Sequence, residues 1–133
     1  MESDLEYAIK EIKRADHIVW IFPMWWYGTP ALLKGFIDRT FLPDIAFKYR
    51  EGKPHLKLLK GKTSRIIITS DTPRWYDYFF MKSPALNQLK KGTLKFSGIN
   101  PVKTTYISPM ENSSKEFRKK WIETVKTPGQ KGR

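Results

Sequence analysis

The chain has 133 residues and a formal net charge of +12, carried by 25 lysines and arginines against 13 acidic residues. This length allows one domain at most, with a real hydrophobic core. The sequence contains no cysteine, which excludes disulfides, thiolate metal ligands and thiol catalysis and fits a reducing compartment, so a cytoplasmic location is expected. No apolar stretch approaches about 20 residues and the N-terminus is acidic, so we predict neither membrane insertion nor a secretory signal.

The excess of positive charge would suit anionic partners, such as nucleic acid, a membrane surface or a phosphorylated cofactor like NADPH. However, the chain has no run of five like charges, and lysine and glutamate mix in the last predicted helix. Nucleic-acid-binding proteins place basic and aromatic side chains on one face, whereas here the aromatic residues fall at strand ends and the lysines in helices. We therefore expect solvated lysines and no nucleic-acid partner.

The first predicted elements in chain order are a helix and a buried strand. Ser3 and Glu6 have the spacing of a capping box, and apolar residues follow at helical spacing as far as Arg14. Residues 18–22 form a short continuous apolar run, which is typical of a strand buried on both faces. Pro23 ends this strand, because proline has no N–H to give to a sheet.

An aromatic loop, residues 24–28, separates this strand from the next helix. Thr29 and Pro30 have the pattern of a helix N-cap and first turn. Loops at the carboxyl ends of parallel strands bind ligands in open α/β sheets. Three consecutive aromatic residues cannot all face one core, so the loop is a candidate site for a flat, hydrogen-bonding ring. The residues leave an alternative open, which is packing under a neighbouring loop or in a dimer interface.

The middle of the chain is predicted to contain a long connection and a second strand. Residues 42–62 form the connection, with a turn at residues 50–54. Residues 65–70 are a second apolar run, followed by small polar residues at another strand end, again a ligand position. The aromatic segment at residues 75–81 is either a hydrophobic flap or subunit contact, or the roof of a pocket.

The last part of the chain is predicted to be helix, strand and helix. A helix at about residues 84–96 is closed by Gly98, and a strand follows at residues 102–107. A final helix starts near Ser114, and residues 128–133 are predicted to be a disordered tail. His17 and His55 have no partners at metal-ligand spacing, so no metal site is expected. Alternating helices and strands predict an α/β fold with a parallel sheet, in one domain at residues 1–127.

Two motifs resemble a known enzyme family. The run FPMWWYGTPALLKGFIDRTF at residues 22–41 has the pattern FP-x-x-W-aromatic-G-x-P-A-x-L-K-G-aromatic, and DTPRWY follows at residues 71–76. These motifs are similar to those of the flavodoxin-like NAD(P)H:quinone oxidoreductases, also called NAD(P)H dehydrogenases (quinone). The resemblance covers the chain up to about Lys126. It implies a flavin oxidoreductase that passes hydride from NAD(P)H through FMN or FAD to a quinone-like acceptor.

The resemblance also assigns site residues. The first loop would contact the flavin ring through Pro23, Met24, Trp25, Trp26, Tyr27 and Gly28, with backbone N–H groups toward its N5 and O4 side. The second loop would lie at the pyrimidine side of the ring and consists of Ser70, Asp71, Thr72 and Pro73. Tyr76 matches a family tyrosine that donates to negative charge developing on the reduced ring or quinone oxygen. The charge of Asp71 would be unfavourable beside a reduced ring unless it points away.

The chain departs from the family at its N-terminal side. A flavodoxin-like domain has five strands in the order 2-1-3-4-5, and this chain resembles a truncated version whose three strands correspond to family strands three, four and five. The strand-helix-strand that holds the flavin phosphate has no counterpart, and the strand at residues 18–22 would have an open edge. A homodimer or a partner chain is therefore expected to cover that edge. The alternative function is a catalytically inactive interaction or regulatory subunit, for example of a potassium-efflux system.

Overall fold

The computed structural model describes residues 2–133, so the predicted domain start at Met1 lies outside the described residues. A three-stranded parallel sheet has the spatial order β1-β4-β5, and a separate antiparallel hairpin pairs β2 with β3. The strands are β1 (His17–Pro23), β2 (Phe47–Arg50), β3 (Lys53–Lys57), β4 (Thr63–Thr69) and β5 (Val102–Ile107). The helices are α1 (Ser3–Arg14), α2 (Ala31–Thr40), α3 (Arg74–Phe79), α4 (Pro84–Asn87), a π-helix (Gln88–Lys95) and α5 (Lys115–Gln130). The predicted α/β fold with three parallel strands is confirmed.

The hydrophobic core lies on one face of the main sheet. Alternate residues of a strand point to the same face, and Trp20 and Phe22 of β1 are buried in one cluster with Ile66 and Ile68 of β4. Helices α1, α2, α4 and the π-helix contribute further members of this cluster, which are Ile12, Ile37, Leu86, Leu89 and Leu94. The core therefore holds the carboxyl ends of β1 and β4 next to each other.

The opposite face of β1 is open, so the prediction of a strand buried on both faces is wrong. Val19 is 45% exposed and Ile21 is 69% exposed, whereas Ile67, which pairs with Ile21 on β4, is only 8% exposed. Strand β1 is also an edge strand, because β4 alone pairs with it among the described residues. An apolar run marks a strand but does not show whether a helix covers each of its faces.

Helix α5 covers part of this second face, and none of its residues is fully buried. An apolar groove of about 300 Å³ lies between α5 and the sheet, with Ile21, Ile67, Phe117 and Trp121 among its lining residues. Because Ile21 also belongs to the uncovered part of β1, the groove and β1 form one apolar surface. We call this surface the open face.

Two predicted helix starts are shifted by one residue. The N–H groups of Leu5 and Glu6 donate to Glu2 O, so Glu2 is the N-cap of α1 and the predicted capping box of Ser3 and Glu6 does not form. Pro30 is likewise the N-cap of α2, and its carbonyl accepts from the Lys34 N–H. The Thr29 hydroxyl instead lies 3.3 Å from Gln88 Oε1, and this contact ties the start of α2 to the π-helix.

The predicted long connection contains the β2–β3 hairpin. Gly52 has φ +63° and makes the turn, as the predicted turn at residues 50–54 indicated. The His55 ring stacks on Phe96 at 3.9 Å between centroids, and its Nε2 lies 2.9 Å from the Phe96 carbonyl oxygen. The strands were not predicted because they are short and their side chains are mostly exposed. His55 therefore has a structural contact.

The predicted helix at residues 84–96 changes type within its length. It is α-helical only as far as Asn87 and then becomes a π-helix that contains Gly92, a residue of low helix propensity. Gly98 closes the segment as predicted, with φ +105°. A Cβ at this position would lie 3.0 Å from Lys60 Cγ, so only glycine fits without a shift.

The C-terminal helix is longer than predicted. It includes Pro128 and ends at Gln130, so half of the predicted disordered tail is helical. The Lys131 N–H donates to Thr127 O, and the Arg133 N–H donates to Pro128 O, which continues backbone hydrogen bonding past the proline. Among residues 2–133, no helix combines the length and apolarity needed to cross a membrane.

Candidate functional site

The first loop is a tight turn at the end of β1. The Trp25 N–H donates to Gly28 O at 3.2 Å, and the Gly28 N–H donates to Trp25 O at 2.9 Å. Between them, Trp26 and Tyr27 have φ values of +49° and +56°, as in a type I′ turn. Bulky residues rarely adopt this conformation, and it concentrates at functional sites.

This turn presents donors and rings that the chain itself does not use. Within residues 2–133, the N–H groups of Trp26 and Tyr27 donate no hydrogen bond. The Trp26 side chain is 98% exposed and that of Trp25 is 62% exposed. Trp26 therefore does not pack under a neighbouring loop of this chain, which removes one of the alternatives for the loop. Two free N–H groups beside flat apolar side chains fit a heteroaromatic ring with acceptor atoms on its edge, as in a flavin.

The second loop begins at the same edge of the sheet. The Met24 N–H donates to Thr69 O at 2.8 Å, so the first loop is bonded to the last residue of β4. Ser70 is buried, and its hydroxyl accepts from the Thr72 N–H at 3.0 Å. The Tyr106 hydroxyl donates to Thr72 O at 2.9 Å. The structure thus brings the two predicted loops together and fixes the backbone of the second one.

The carboxylate of Asp71 is directed at another part of the chain. Its Oδ1 accepts from the backbone N–H groups of Met110, at 3.0 Å, and Glu111, at 2.5 Å. These donors belong to the connection between β5 and α5. Asp71 therefore holds this connection through its carboxylate. The unfavourable charge that was expected beside a reduced ring is directed instead at these two backbone donors.

The helix that follows Pro73 carries an arginine that sequence reasoning did not select. Arg74 Nη1 donates to Asp77 Oδ2 at 3.2 Å and to Ser83 Oγ at 2.8 Å. Its guanidinium carbon lies 5.2 Å from the ring centroid of Tyr106 and 5.3 Å from that of Tyr78. Burial raises the pKa of Tyr106. Tyr106 was not selected from the sequence either, where its place near the carboxyl end of the third predicted strand was the only signal of a role at the site.

The predicted catalytic tyrosine lies in α3. The Tyr76 ring stacks on Phe80 at 5.2 Å between centroids, and its side chain is 38% exposed. Its hydroxyl makes no hydrogen bond to either loop within the described residues. In sequence, Tyr76 follows the second loop by three residues, and its role stays a prediction.

The fold and the two strand-end loops define an α/β protein of the flavodoxin-like class. Residues 2–127 match the sequence profile of a family described by its flavodoxin-like fold, and the chain belongs to this family. A chain from Haemophilus influenzae named an uncharacterized NAD(P)H oxidoreductase is 32% identical over 91% of this chain and 60% of its own length. An FMN-dependent NADH:quinone oxidoreductase 2 from Listeria innocua is 34% identical over 77% of this chain and 48% of its own length.

A solved structure is similar as well. The crystal structure of Smu.1420 from Streptococcus mutans UA159 has a TM-score of 0.83 and 38% identity, covering 93% of this chain and 64% of that one. The chain therefore spans about half to two thirds of the length of these relatives.

Proposed function

We propose that this chain carries the ring-binding loops of a flavin-dependent oxidoreductase, which passes hydride from NAD(P)H to a quinone-like acceptor. The observation that carries the proposal is the first loop, where the free N–H groups of Trp26 and Tyr27 lie beside exposed indole rings. The names of the Haemophilus and Listeria relatives support this class of reaction, and the Listeria name favours FMN over FAD. The cytoplasm remains the proposed location.

The two loops have distinct roles in this proposal. When bound, the flavin supplies the two-electron chemistry that links a nicotinamide to a quinone. The N–H groups of Trp26 and Tyr27 would donate to acceptor atoms on the ring edge, and Trp25 and Trp26 would shield the ring from water. The second loop would hold the pyrimidine side, its backbone kept in place by Tyr106. Tyr76 would donate a hydrogen bond to the negative charge that develops on the reduced ring or the quinone oxygen.

The exposed aromatic surface supports a second subunit. Trp75 and Phe80 of the α3 region are 59% and 67% exposed, and their ring centroids lie 6.2 Å apart. Exposed apolar patches mark interaction sites. We propose that a homodimer or a partner chain covers this surface and the edge of β1, and that the site is completed there.

The open face favours one other function, that of an interaction subunit without catalysis. In that case the aromatic loop is contact surface, and the unpaired edge of β1 and its neighbouring groove are the binding site. Association of the flavin-free chain, measured by sedimentation, together with no flavin binding would support this function and contradict the enzyme.

Flavin binding tests the main proposal. FMN and FAD are titrated with the purified chain, and quenching of flavin fluorescence is recorded. We expect saturable binding that Trp26→Ala weakens by about tenfold, the equivalent of one good stacking contact of the indole ring. Tyr49→Ala is the matched control, since this aromatic residue is 71% exposed but lies on the hairpin. No binding by a folded chain, or equal loss in both variants, would overturn the proposal.

A further inference from the structure

A cavity with a basic and aromatic lining lies beside α3, the helix that follows the second loop. Its volume is about 490 Å³, and it is bounded by α3, the turn after it, α4 and the start of the π-helix. The lining residues that matter are Arg74, Tyr78, Phe79, Lys82, Lys90 and Lys91. None of its lining residues is acidic. The cavity thus concentrates positive charge beside two aromatic rings.

The three lysines of this cavity lack a compensating carboxylate. No ion pair within residues 2–133 includes Lys82, Lys90 or Lys91. Burial lowers the pKa of Lys90, and the like charges of Lys95, Lys91 and Arg74 lower it further. Like charges that line one cavity without a paired carboxylate favour an anionic ligand, because the ligand relieves their mutual repulsion.

The arginine is held in place for such a ligand. Asp77 is 2% exposed and bonds Arg74 through Oδ2, and Ser83 Oγ accepts from the same guanidinium nitrogen. Within residues 2–133, Arg74 is therefore the one cation of the four that forms an ion pair, and the buried carboxylate of Asp77 positions its guanidinium group. Guanidinium groups fixed in this way bind phosphate with defined geometry.

The turn between α3 and α4 is fixed as well. Lys82 and Ser83 have φ values of +62° and +49°, and the Asn87 side-chain amide donates to Lys82 O at 2.6 Å. Lys90 and Lys91 lie on the π-helix, a form that is rare and frequently marks functional sites. Each basic residue of the cavity is thus carried by backbone of defined conformation.

The aromatic residues indicate which anion would fit. Tyr78 and Phe79 are 57% and 62% exposed, and their rings meet edge to face at 5.0 Å between centroids. An exposed ring beside several cations can stack a base while the cations bind phosphate groups. The cavity also adjoins the candidate flavin site, since Arg74 follows the second loop directly and packs on Tyr106.

We propose that this cavity binds the phosphorylated adenosine end of NADPH, so that the enzyme prefers NADPH over NADH. The inference rests on the proposed function for its choice of nucleotide. Arg74 and the three lysines would contact the phosphate groups, and Tyr78 or Phe79 would stack on the adenine. Asp77 would act as a positioning residue for Arg74.

The test measures binding of 2′,5′-ADP, NADPH and NADH to the chain without flavin by calorimetry. We expect 2′,5′-ADP and NADPH to bind at least about tenfold more tightly than NADH, because of the additional charge-assisted contacts. The double variant Lys90→Gln/Lys91→Gln should lose about tenfold or more in affinity for 2′,5′-ADP. The matched control is Lys119→Gln/Lys120→Gln, which removes the same charge from exposed positions of α5 and should lose less than about twofold.

Three outcomes would overturn the proposal: no binding of 2′,5′-ADP, equal affinity for NADPH and NADH, or equal loss in both double variants. FMN titration of the same proteins separates this inference from the proposed function. If FMN binds and 2′,5′-ADP does not, the cavity assignment alone fails. If 2′,5′-ADP binds and FMN does not, the flavin assignment fails and the nucleotide site stands.

Discussion

Replacing the two isoleucines that pair across β1 and β4 tests whether one face of β1 is open. Ile21 is 69% exposed and Ile67 is 8% exposed, although they share one face and one register. Full burial of an isoleucine stabilises a protein by about 1.5–3 kcal/mol, so the buried third of Ile21 contributes roughly 0.5–1 kcal/mol. Ile67→Ala should cost about 2 kcal/mol, the lower end of the range for buried isoleucines, because Ile67 is only 8% exposed but lines the groove beneath α5.

The assay is urea unfolding followed by tryptophan fluorescence and circular dichroism. Sedimentation first establishes a concentration at which the chain is monomeric. We expect both variants to lower the free energy of unfolding. The loss for Ile67→Ala should exceed the loss for Ile21→Ala by at least about 1 kcal/mol. The lower strand propensity of alanine acts at both positions, so it does not produce this difference. Equal losses in the monomeric chain would refute the description of the open face.

Three further changes give distinct results in the same unfolding assay. Asp71→Ala should lower stability by about 1 kcal/mol, because two backbone donors lose their acceptor, and Asp71→Asn should lose less, since its amide oxygen still accepts. Burial lowers the pKa of His17 in the folded chain, so the unfolded chain takes up the proton first as the pH falls. The free energy of unfolding should therefore decrease as the pH drops through about 6.5. If His17 is the source, the free energy of unfolding of His17→Gln should not change with pH in this range, and an unchanged pH dependence in this variant would exclude His17. Gly98→Ala should cost about 1–3 kcal/mol from its positive φ and its contact with Lys60, whereas Gly35→Ala in α2, where a Cβ meets nothing, should stabilise by up to about 1 kcal/mol. Equal effects of the two glycine changes would contradict this reasoning.

Local patterns were sufficient to predict the elements that position the candidate site. The apolar runs at residues 18–22 and 65–70 located β1 and β4, and their carboxyl ends located both loops. These predictions held because a strand, its end and the following helix are encoded within a few neighbouring residues. Gly98 was recognised for the same reason, since a left-handed helix terminus favours glycine.

Contacts between distant residues could not be predicted in this way. The bonds from Asp71 to the β5–α5 connection join residues about 40 positions apart, and the stacking of His55 on Phe96 joins two different elements. The open face of β1 depends on how much of the sheet α5 covers within residues 2–133, and the strand's own residues do not indicate this. The cavity beside Arg74 requires the turn after α3 and the π-helix together, and sequence reasoning treated its lysines as solvated charges.

The most direct test of the central claim is to follow the backbone amide resonances of the isotopically labelled chain during an FMN titration. The account predicts the largest shifts at the amides of Trp26 and Tyr27, with smaller ones at Thr72 and its neighbours in the second loop. Amides of the β2–β3 hairpin should not shift. Binding whose shifts lie elsewhere, or an unchanged spectrum at saturating FMN, would contradict the assignment of these loops as a flavin site.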